Sequence, residues 1–309
     1  MIQLKLSPEV ADALAAGRAV VALESTIFSH LGLPSPANRD ALDRCIAAIR
    51  SGGAVPAVTA VLDGVARVGL DESEHDRVLG AARKVAERDL PVAVAQRWEF
   101  GATTVSASVA LAALAGISVF ATGGIGGVHR GSDLTGDVSA DLDALASWPV
   151  ITVSAGAKAF LDLARTLEYL ETHGVPVLGW QHDDFPAFYT RSSGMPVPHR
   201  VEDAAEVARV FASRTRALSG VLVAAPIPVA TALDIAKLDA ALERALDEAA
   251  AQEGVSRSEL IRRASLALIE AKKIRKLEKA LVDAYTRVPQ DPVLVETARR
   301  LAAGTTPDW

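Results

Sequence analysis

Ile117-Ser118-Val119-Phe120-Ala121 runs directly into Thr122-Gly123-Gly124-Ile125-Gly126-Gly127-Val128-His129-Arg130-Gly131, and Val150-Ile151-Thr152-Val153 runs into Ser154-Ala155-Gly156-Ala157-Lys158. In both, a short apolar stretch rich in β-branched residues ends in small residues and a polar side chain. Such a stretch reads as a buried parallel strand. In open α/β sheets, ligands bind beyond the carboxyl ends of the strands. A glycine-rich turn, His129 and Lys158 are therefore expected on one rim. Asp137-Val138-Ser139-Ala140-Asp141, a little further on, brings two carboxylates to the same place.

Working outward, the pattern alternates almost throughout. Strands are expected at Ala19–Leu23, Val55–Leu62, Pro91–Ala95, Ile117–Ala121, Val150–Val153, Val175–Gly179 and Val221–Ala225. Helices are expected at Arg39–Ser51, Glu72–Glu87, Val105–Ala115, Ala140–Ser147, Phe160–His173 and Val201–Leu218. Strands separated by helices imply right-handed crossovers, so the fold class is α/β, a mostly parallel sheet flanked by helices on both faces. Residues 1–235 form the expected catalytic core. Residues 236–309 read as a helical C-terminal extension packed on the same domain, with Ser256–Thr286 as one long or two short amphipathic helices.

Composition narrows the function. With 309 residues, half of them apolar, the chain is long enough for a full core. Its net charge of −6 argues against a broad nucleic-acid or anionic-membrane surface. Cys45 is the only cysteine, which excludes an internal disulfide and a thiolate metal cluster. The N-terminus has no apolar signal region and no run approaches a membrane span, so the expected compartment is the cytoplasm.

The polar residues on the rim each admit two readings. From Gly124, the third glycine of a dinucleotide fingerprint would fall on His129, and no helix opens there, so the run is a ligand loop or a tight structural turn. Lys158 is a desolvated amine nucleophile or a strand-end lysine whose head reaches water. Ser139 is a plain N-cap with Asp141 in the first helical turn. Asp137 has no capping role, and one carboxylate with waters and a phosphate is how Mg²⁺ or Mn²⁺ is often held. Glu24 closes Val20-Val21-Ala22-Leu23 either as a partly buried acid with a raised pKa or as a cap on the next turn.

Together the runs resemble the pseudouridine-5'-phosphate glycosidase family. The matching blocks include Val21-Ala-Leu-Glu-Ser-Thr-Ile-Phe-Ser-His30, Gly53-Ala-Val-Pro-Ala57, Lys84-Val85, Arg88-Asp-Leu-Pro91, Gly101-Ala-Thr-Thr-Val105, Ala121–Gly131, Asp137–Asp141, Ala155–Lys158, Glu168-Tyr-Leu-Glu-Thr172 and Ala225-Pro-Ile-Pro228. They keep one order over about the first three quarters of the chain, which no single short motif could do. The resemblance implies reversible cleavage of the C–C bond between a base and ribose 5-phosphate. It implies Lys158 as the imine-forming nucleophile, Glu24 as the acid/base and Asp137 as the Mn²⁺ ligand. Lys84, Val105, Ser139, Ala140 and Asp141 become sugar-phosphate contacts, Thr122 and His129 fall in the site loop, and the assembly is a homotrimer.

Three departures bear on the acceptor. Thr135-Gly136-Asp137 stands where the family has a ring before the metal-binding aspartate, which takes away a wall of the pocket. Ala95-Gln-Arg-Trp-Glu-Phe100 replaces a shorter turn. Ser256–Trp309 lacks the Thr-Pro-Phe-Leu-Leu and Asn-Asn-Ala stretches that lie near the base. Losing polar groups that read uracil weakens discrimination for it. The expectation is therefore a C-glycosynthase that joins ribose 5-phosphate to an aromatic, polyketide-like acceptor, with cleavage of pseudouridine 5'-phosphate as the alternative.

Overall fold

Val55–Leu62 is apolar but for Thr59, and all of its residues are buried. A strand of that kind needs cover on both faces and partners on both edges, and the fold supplies them. In the computed structural model the described residues are 2–81 and 83–233. The chain divides into two units, Met1–Leu238 and Asp239–Trp309. The sheet, its helices and the candidate site all belong to the first. The helical readings of 236–309 and of Ser256–Thr286 lie outside the described residues.

The strands are β1 (Leu4–Leu6), β2 (Val20–Leu23), β3 (Val55–Leu62), β4 (Val65–Val68), β5 (Lys84–Val85), β6 (Phe100–Thr103), β7 (Val119–Ala121), β8 (Ile151–Ser154), β9 (Val177–Trp180), β10 (His199–Val201) and β11 (Val221–Ala224). Along the main path the order is β1-β4-β3-β2-β7-β8-β11-β9-β10, and β6 branches from β3 and carries β5. Every pairing is parallel except those of β3 with β4 and with β6. The expected class, a mostly parallel sheet between helices, is what the chain forms.

The helices are α1 (Pro8–Ala15), α2 (Ala37–Ser51), α3 (Glu72–Leu79), α4 (Leu90–Ala95), α5 (Val105–Leu114), α6 (Ser132–Thr135), α7 (Ala140–Ser147), α8 (Leu163–Thr172) and α9 (Ala204–Ala212). α1, α2, α4 and α5 all pack on β3. α5 is central, with every residue from Val105 to Ala112 buried. Its Ser and Ala side chains let β2, β6 and β7 approach closely.

Three expectations are corrected. The expected helix Val201–Leu218 forms only over Ala204–Ala212, because Val201 ends β10 and Asp203 caps the helix. Pro91–Ala95 is not a strand but lies in α4. Its Val-Ala-Val-Ala alternation looks extended, yet Pro91 stands in the first helical turn, where a missing N–H is harmless. The expected helix Glu72–Glu87 stops at Leu79, capped by Gly80, and Lys84–Val85 then pairs in parallel with β6. β4 is an addition to the expected strands. Asp63-Gly64 joins it to β3 with positive φ at both residues (53° and 74°), the two-residue turn that suits strand twist.

Candidate active site

β2, β7 and β8 are parallel neighbours, so their carboxyl ends emerge together. Glu24 follows β2, Thr122 follows β7 and Lys158 lies four residues beyond β8. The two decisive runs stay laced beyond the strands. Thr122 N–H donates to Val153 O (3.0 Å), Ala155 N–H to Gly123 O (3.1 Å) and Ile125 N–H to Gly156 O (3.0 Å). The glycines serve this close packing. A Cβ on Gly124 would overlap the Phe188 ring, and one on Gly126 would overlap the Ser139 side chain.

A cavity of about 670 Å³ opens over these ends. Of the residues singled out in the sequence, Glu24, Lys84, Val105, His129, Asp137, Ser139, Ala140, Asp141 and Lys158 line it. Thr122 stands just behind, donating its hydroxyl to Glu24 Oε1 at 2.5 Å. The cavity also takes in Thr26, Arg88, Asp89, Thr104, Ser106 and Phe160, to which the sequence reading gave no role. Arg88 and Asp89 were visible only as part of a matching block, because nothing in their local pattern marks a ligand contact.

Two helix starts face the cavity, that of α5 at Val105 and that of α7 at Ala140. Unpaired N–H groups and the helix dipole make such ends natural seats for a phosphate. Asp141 holds them in place. Its buried carboxylate accepts from Ser106 N–H (2.9 Å) and from Gly126 N–H (2.8 Å), which ties the start of α5 to the glycine loop. Ser139 caps α7 as expected, accepting from Asp141 N–H at 3.3 Å.

Glu24 is the group whose proton equilibrium departs furthest from the ordinary here. Loss of water around its carboxyl is the main cause of a pKa raised to about 7. The Thr122 hydrogen bond opposes the rise, Asp141 adds to it, and Lys158 and Lys84 pull it down. For Lys158 the structure decides between the two readings: it is exposed to the cavity, so its head reaches water. Its reading as an amine nucleophile rests on place, not on burial.

Asp137 is exposed, and His129 Nδ1 lies 3.7 Å from its Oδ2. The backbone fixes the pair, with His129 N–H donating to Asp137 O at 3.0 Å. Between them α6 makes one turn, entered at Gly131 (φ 79°) and left at Gly136 (φ 66°). Both glycines sit in the left-handed region that side chains avoid. Gly136 is therefore explained by the loop. It does not line the cavity, and an added Cβ would meet nothing within 4 Å, so the loop's backbone accounts for the glycine without reference to a pocket wall. Among the described residues no three of His, Cys, Asp and Glu cluster as a metal cage. One free carboxylate beside an imidazole suits a hard cation that takes its other ligands from water and phosphate.

The family model "Indigoidine synthase A like protein" matches residues 9–278. A pseudouridine-5'-phosphate glycosidase of Sorangium cellulosum is 50% identical over 261 residues, covering 83% of this chain and 81% of that one. One from Caldanaerobacter subterraneus subsp. tengcongensis is 51% identical over 251 residues, covering 80% and 81%. The chain belongs to the pseudouridine-5'-phosphate glycosidase family. Enzymes of this family work on C-glycosidic bonds, and so does this one. Among solved structures, the prealnumycin C-glycosynthase AlnA in complex with ribulose 5-phosphate is similar with a TM-score of 0.73 and 37% identity, covering 87% of this chain and 90% of that one. An indigoidine synthase A-like protein from Thermotoga maritima has a TM-score of 0.70 and 34% identity, covering 78% and 80%. Among the described residues no helix is long and apolar enough to cross a membrane.

The raised pKa of Glu24 has a measurable sign. Near pH 4 the carboxyl is largely neutral in the folded and unfolded chain alike. As pH climbs from about 4.5 to about 7 the unfolded chain ionises first, and stability is lost. Glu24→Gln should therefore raise Tm relative to the parent at pH 8, by an amount worth at most about 3 kcal/mol, and give no gain near pH 4. Calorimetric melting at the two pH values decides it. The same Tm difference at both would show that Glu24 titrates as an ordinary carboxyl.

Proposed function

We propose that this enzyme breaks and re-forms the bond between C1' of ribose 5-phosphate and a ring carbon of uracil, that is, that it acts on pseudouridine 5'-phosphate. One observation carries the reading: an amine, Lys158, and a carboxyl that keeps its proton near neutrality, Glu24, face one cavity into which two helix starts also point. The glycosidases that share half its residues over four fifths of its length support uracil as the partner.

The chemistry follows from these groups. A carbon leaving group cannot depart as an alkoxide does. Glu24 gives its proton to the ring oxygen as the C1'–O bond breaks. The Lys158 amine adds to C1'. When the C–C bond breaks, its electron pair leaves with the base carbon, which takes up a proton. The nitrogen lone pair fills the vacancy at C1', giving an iminium. Water then releases ribose 5-phosphate and restores the amine. The reverse order makes the bond. Lys84, Val105 and Ser139-Ala140-Asp141 hold the phosphate end, and Thr122 orients Glu24. Mn²⁺, with Mg²⁺ as substitute, would sit on Asp137 with His129 beside it and supply positive charge for the phosphate. The homotrimer implied by the resemblance and the cytoplasmic compartment read from the sequence belong to this reading.

A second reading, C-ribosylation of an aromatic, polyketide-like acceptor, has its own support. The C-glycosynthase AlnA shares 37% of its residues with this chain, and Ser256–Trp309 lacks the Asn-bearing stretch near the base. Uracil release from pseudouridine 5'-phosphate with Mn²⁺, followed by absorbance, separates the two. Efficient release establishes the glycosidase. No release, with ribose 5-phosphate still bound, leaves the synthase.

Two further outcomes test the machinery. Borohydride added with ribose 5-phosphate should fix a reduced adduct on the Lys158 peptide, and Lys158→Ala should keep its fold but lose turnover. An adduct mapped by mass spectrometry to another lysine would remove Lys158 as nucleophile. Asp137→Ala should weaken Mn²⁺ binding about tenfold or more when sugar phosphate is present. Unchanged affinity by calorimetry would place the metal elsewhere.

A further inference from the structure

β2 and β6 are not neighbours, yet they meet. β2 pairs with Val55–Val58 of β3 and β6 with Ala60–Leu62. β4 holds the opposite edge of β3, so β2 and β6 run head-on along one edge and end at Thr59. No ladder can seal such a junction. Thr103, the last residue of β6, does it instead. Its N–H donates to Ser25 Oγ (2.9 Å), and its carbonyl accepts from Thr26 Oγ1 (2.7 Å) and from Ser25 N–H (3.3 Å). Its hydroxyl donates to Thr59 O (2.7 Å) and lies 3.1 Å from Ser25 Oγ and 2.8 Å from Thr59 Oγ1. Thr59 continues the chain of hydroxyls to Ser108 Oγ in α5 (2.8 Å).

Ser25, Thr59, Thr103 and Ser108 are fully buried. A hydroxyl has one proton to give and two lone pairs to fill. Thr103 gives its proton to Thr59 O and has Ser25 and Thr59 within reach of both lone pairs. A buried polar network stabilises only when complete, and then it fixes one arrangement. Apolar packing could have closed this gap, as it does along the rest of β3. The hydroxyls add a defined geometry, and what they touch is the site. Ser25 and Thr26 follow Glu24. Thr103 stands beside Val85 in the register of β5 and β6, next to Lys84, and it leads through Thr104 into α5.

We propose that Thr103 is a positioning residue for the reaction, locking the Glu24-Ser25-Thr26 turn to the start of α5 and the end of β5 and so setting the acid at a fixed place relative to the sugar-phosphate end. The inference rests on the proposed function for its kinetic arm only.

The test compares Thr103→Val, Thr103→Ser and the parent. With ¹³C-labelled glutamate and no substrate, NMR should follow Glu24 titrating near pH 7 in the parent and in Thr103→Ser, and at least about one unit lower in Thr103→Val as the freed turn admits water. With pseudouridine 5'-phosphate, Thr103→Val should lose about tenfold or more in kcat with KM within about threefold, and Thr103→Ser should restore it. Ser25→Ala breaks the same pair from the other strand and should repeat the Thr103→Val pattern, which keeps the test open if Thr103→Val does not fold. Ser108→Ala removes the acceptor at the far end, where Thr59 Oγ1 keeps Leu23 O within reach (3.1 Å) as a replacement, so the network toward Ser25 stays satisfied; the variant should lower Tm while leaving the titration and kcat within about twofold. An unshifted Glu24 in the folded Thr103→Val or Ser25→Ala protein would overturn the proposal, and so would Ser108→Ala reproducing the full effect. If the parent itself releases no uracil, the substrate reading fails and the Glu24 titration still decides the role of Thr103.

Discussion

One edge of β3 serves two strands that arrive from opposite directions, and the site depends on that constraint. Because β2 stops at Leu23 and β6 stops at Thr103, both chains must leave the sheet where they meet. The residues that follow, Glu24 on one side and Thr104-Val105-Ser106 on the other, are thereby brought to one cavity although they are far apart in sequence. An ordinary parallel sheet gathers residues from neighbouring strand ends on one rim. Here the antiparallel insert of β6 adds a helix start, α5, to a rim that already holds the ends of β2, β7 and β8. The hydroxyls of Ser25, Thr59 and Thr103 join what the backbone ladder cannot.

Asp141 does similar work at the next junction. A carboxylate facing an expected phosphate looks misplaced until its partners are counted. Both oxygens are occupied by backbone N–H groups, from Ser106 and Gly126. Hydrogen bonds from amides to an ionised acceptor are stronger than neutral ones, so Asp141 pins the start of α5 to the glycine loop. This gives Gly126 a reason beyond loop flexibility, since a side chain there would collide with Ser139 and crowd Asp141.

Much of this was legible in the residues, and what was missed has a physical cause. Long apolar strands and the amphipathic helices with N-caps declared themselves, because burial and period leave a pattern. β5, with two residues, and β1, with three, are too short to show one. The alternation Val92-Ala93-Val94-Ala95 was no guide where Pro91 opened a helix instead. Most of the candidate site was found because its residues follow strand ends or stand in matching blocks. The head-on meeting of β2 and β6 could not be read, since it depends on which half of β3 each strand pairs with. Lys158 stayed open between two readings because small neighbours do not decide solvation: Ala155, Gly156 and Ala157 tuck the loop in, and the side chain itself reaches the cavity. Gly136 has a second explanation beside the missing ring, since its φ of 66° by itself favours glycine.

The charges in the cavity favour one order of events. Glu24, Asp89, Asp137 and Asp141 face Lys84, Arg88 and Lys158. Among them Asp141 favours the protonated form of Glu24, and Lys158 and Lys84 oppose it. On the proposed mechanism a phosphate group near neutrality adds about −1.5 to −2, which would make ionisation of Glu24 less favourable still and hold its proton ready for the ring oxygen. The same added charge calls for a compensating cation. Asp137, exposed at the rim with its carboxylate uncommitted to any amide bond, is where a divalent ion would offset the phosphate without neutralising Glu24's neighbours. On the proposed mechanism, substrate phosphate would act on the chemistry at C1' through the proton on Glu24 as well as through its own binding energy, and a sugar lacking the phosphate would lose both.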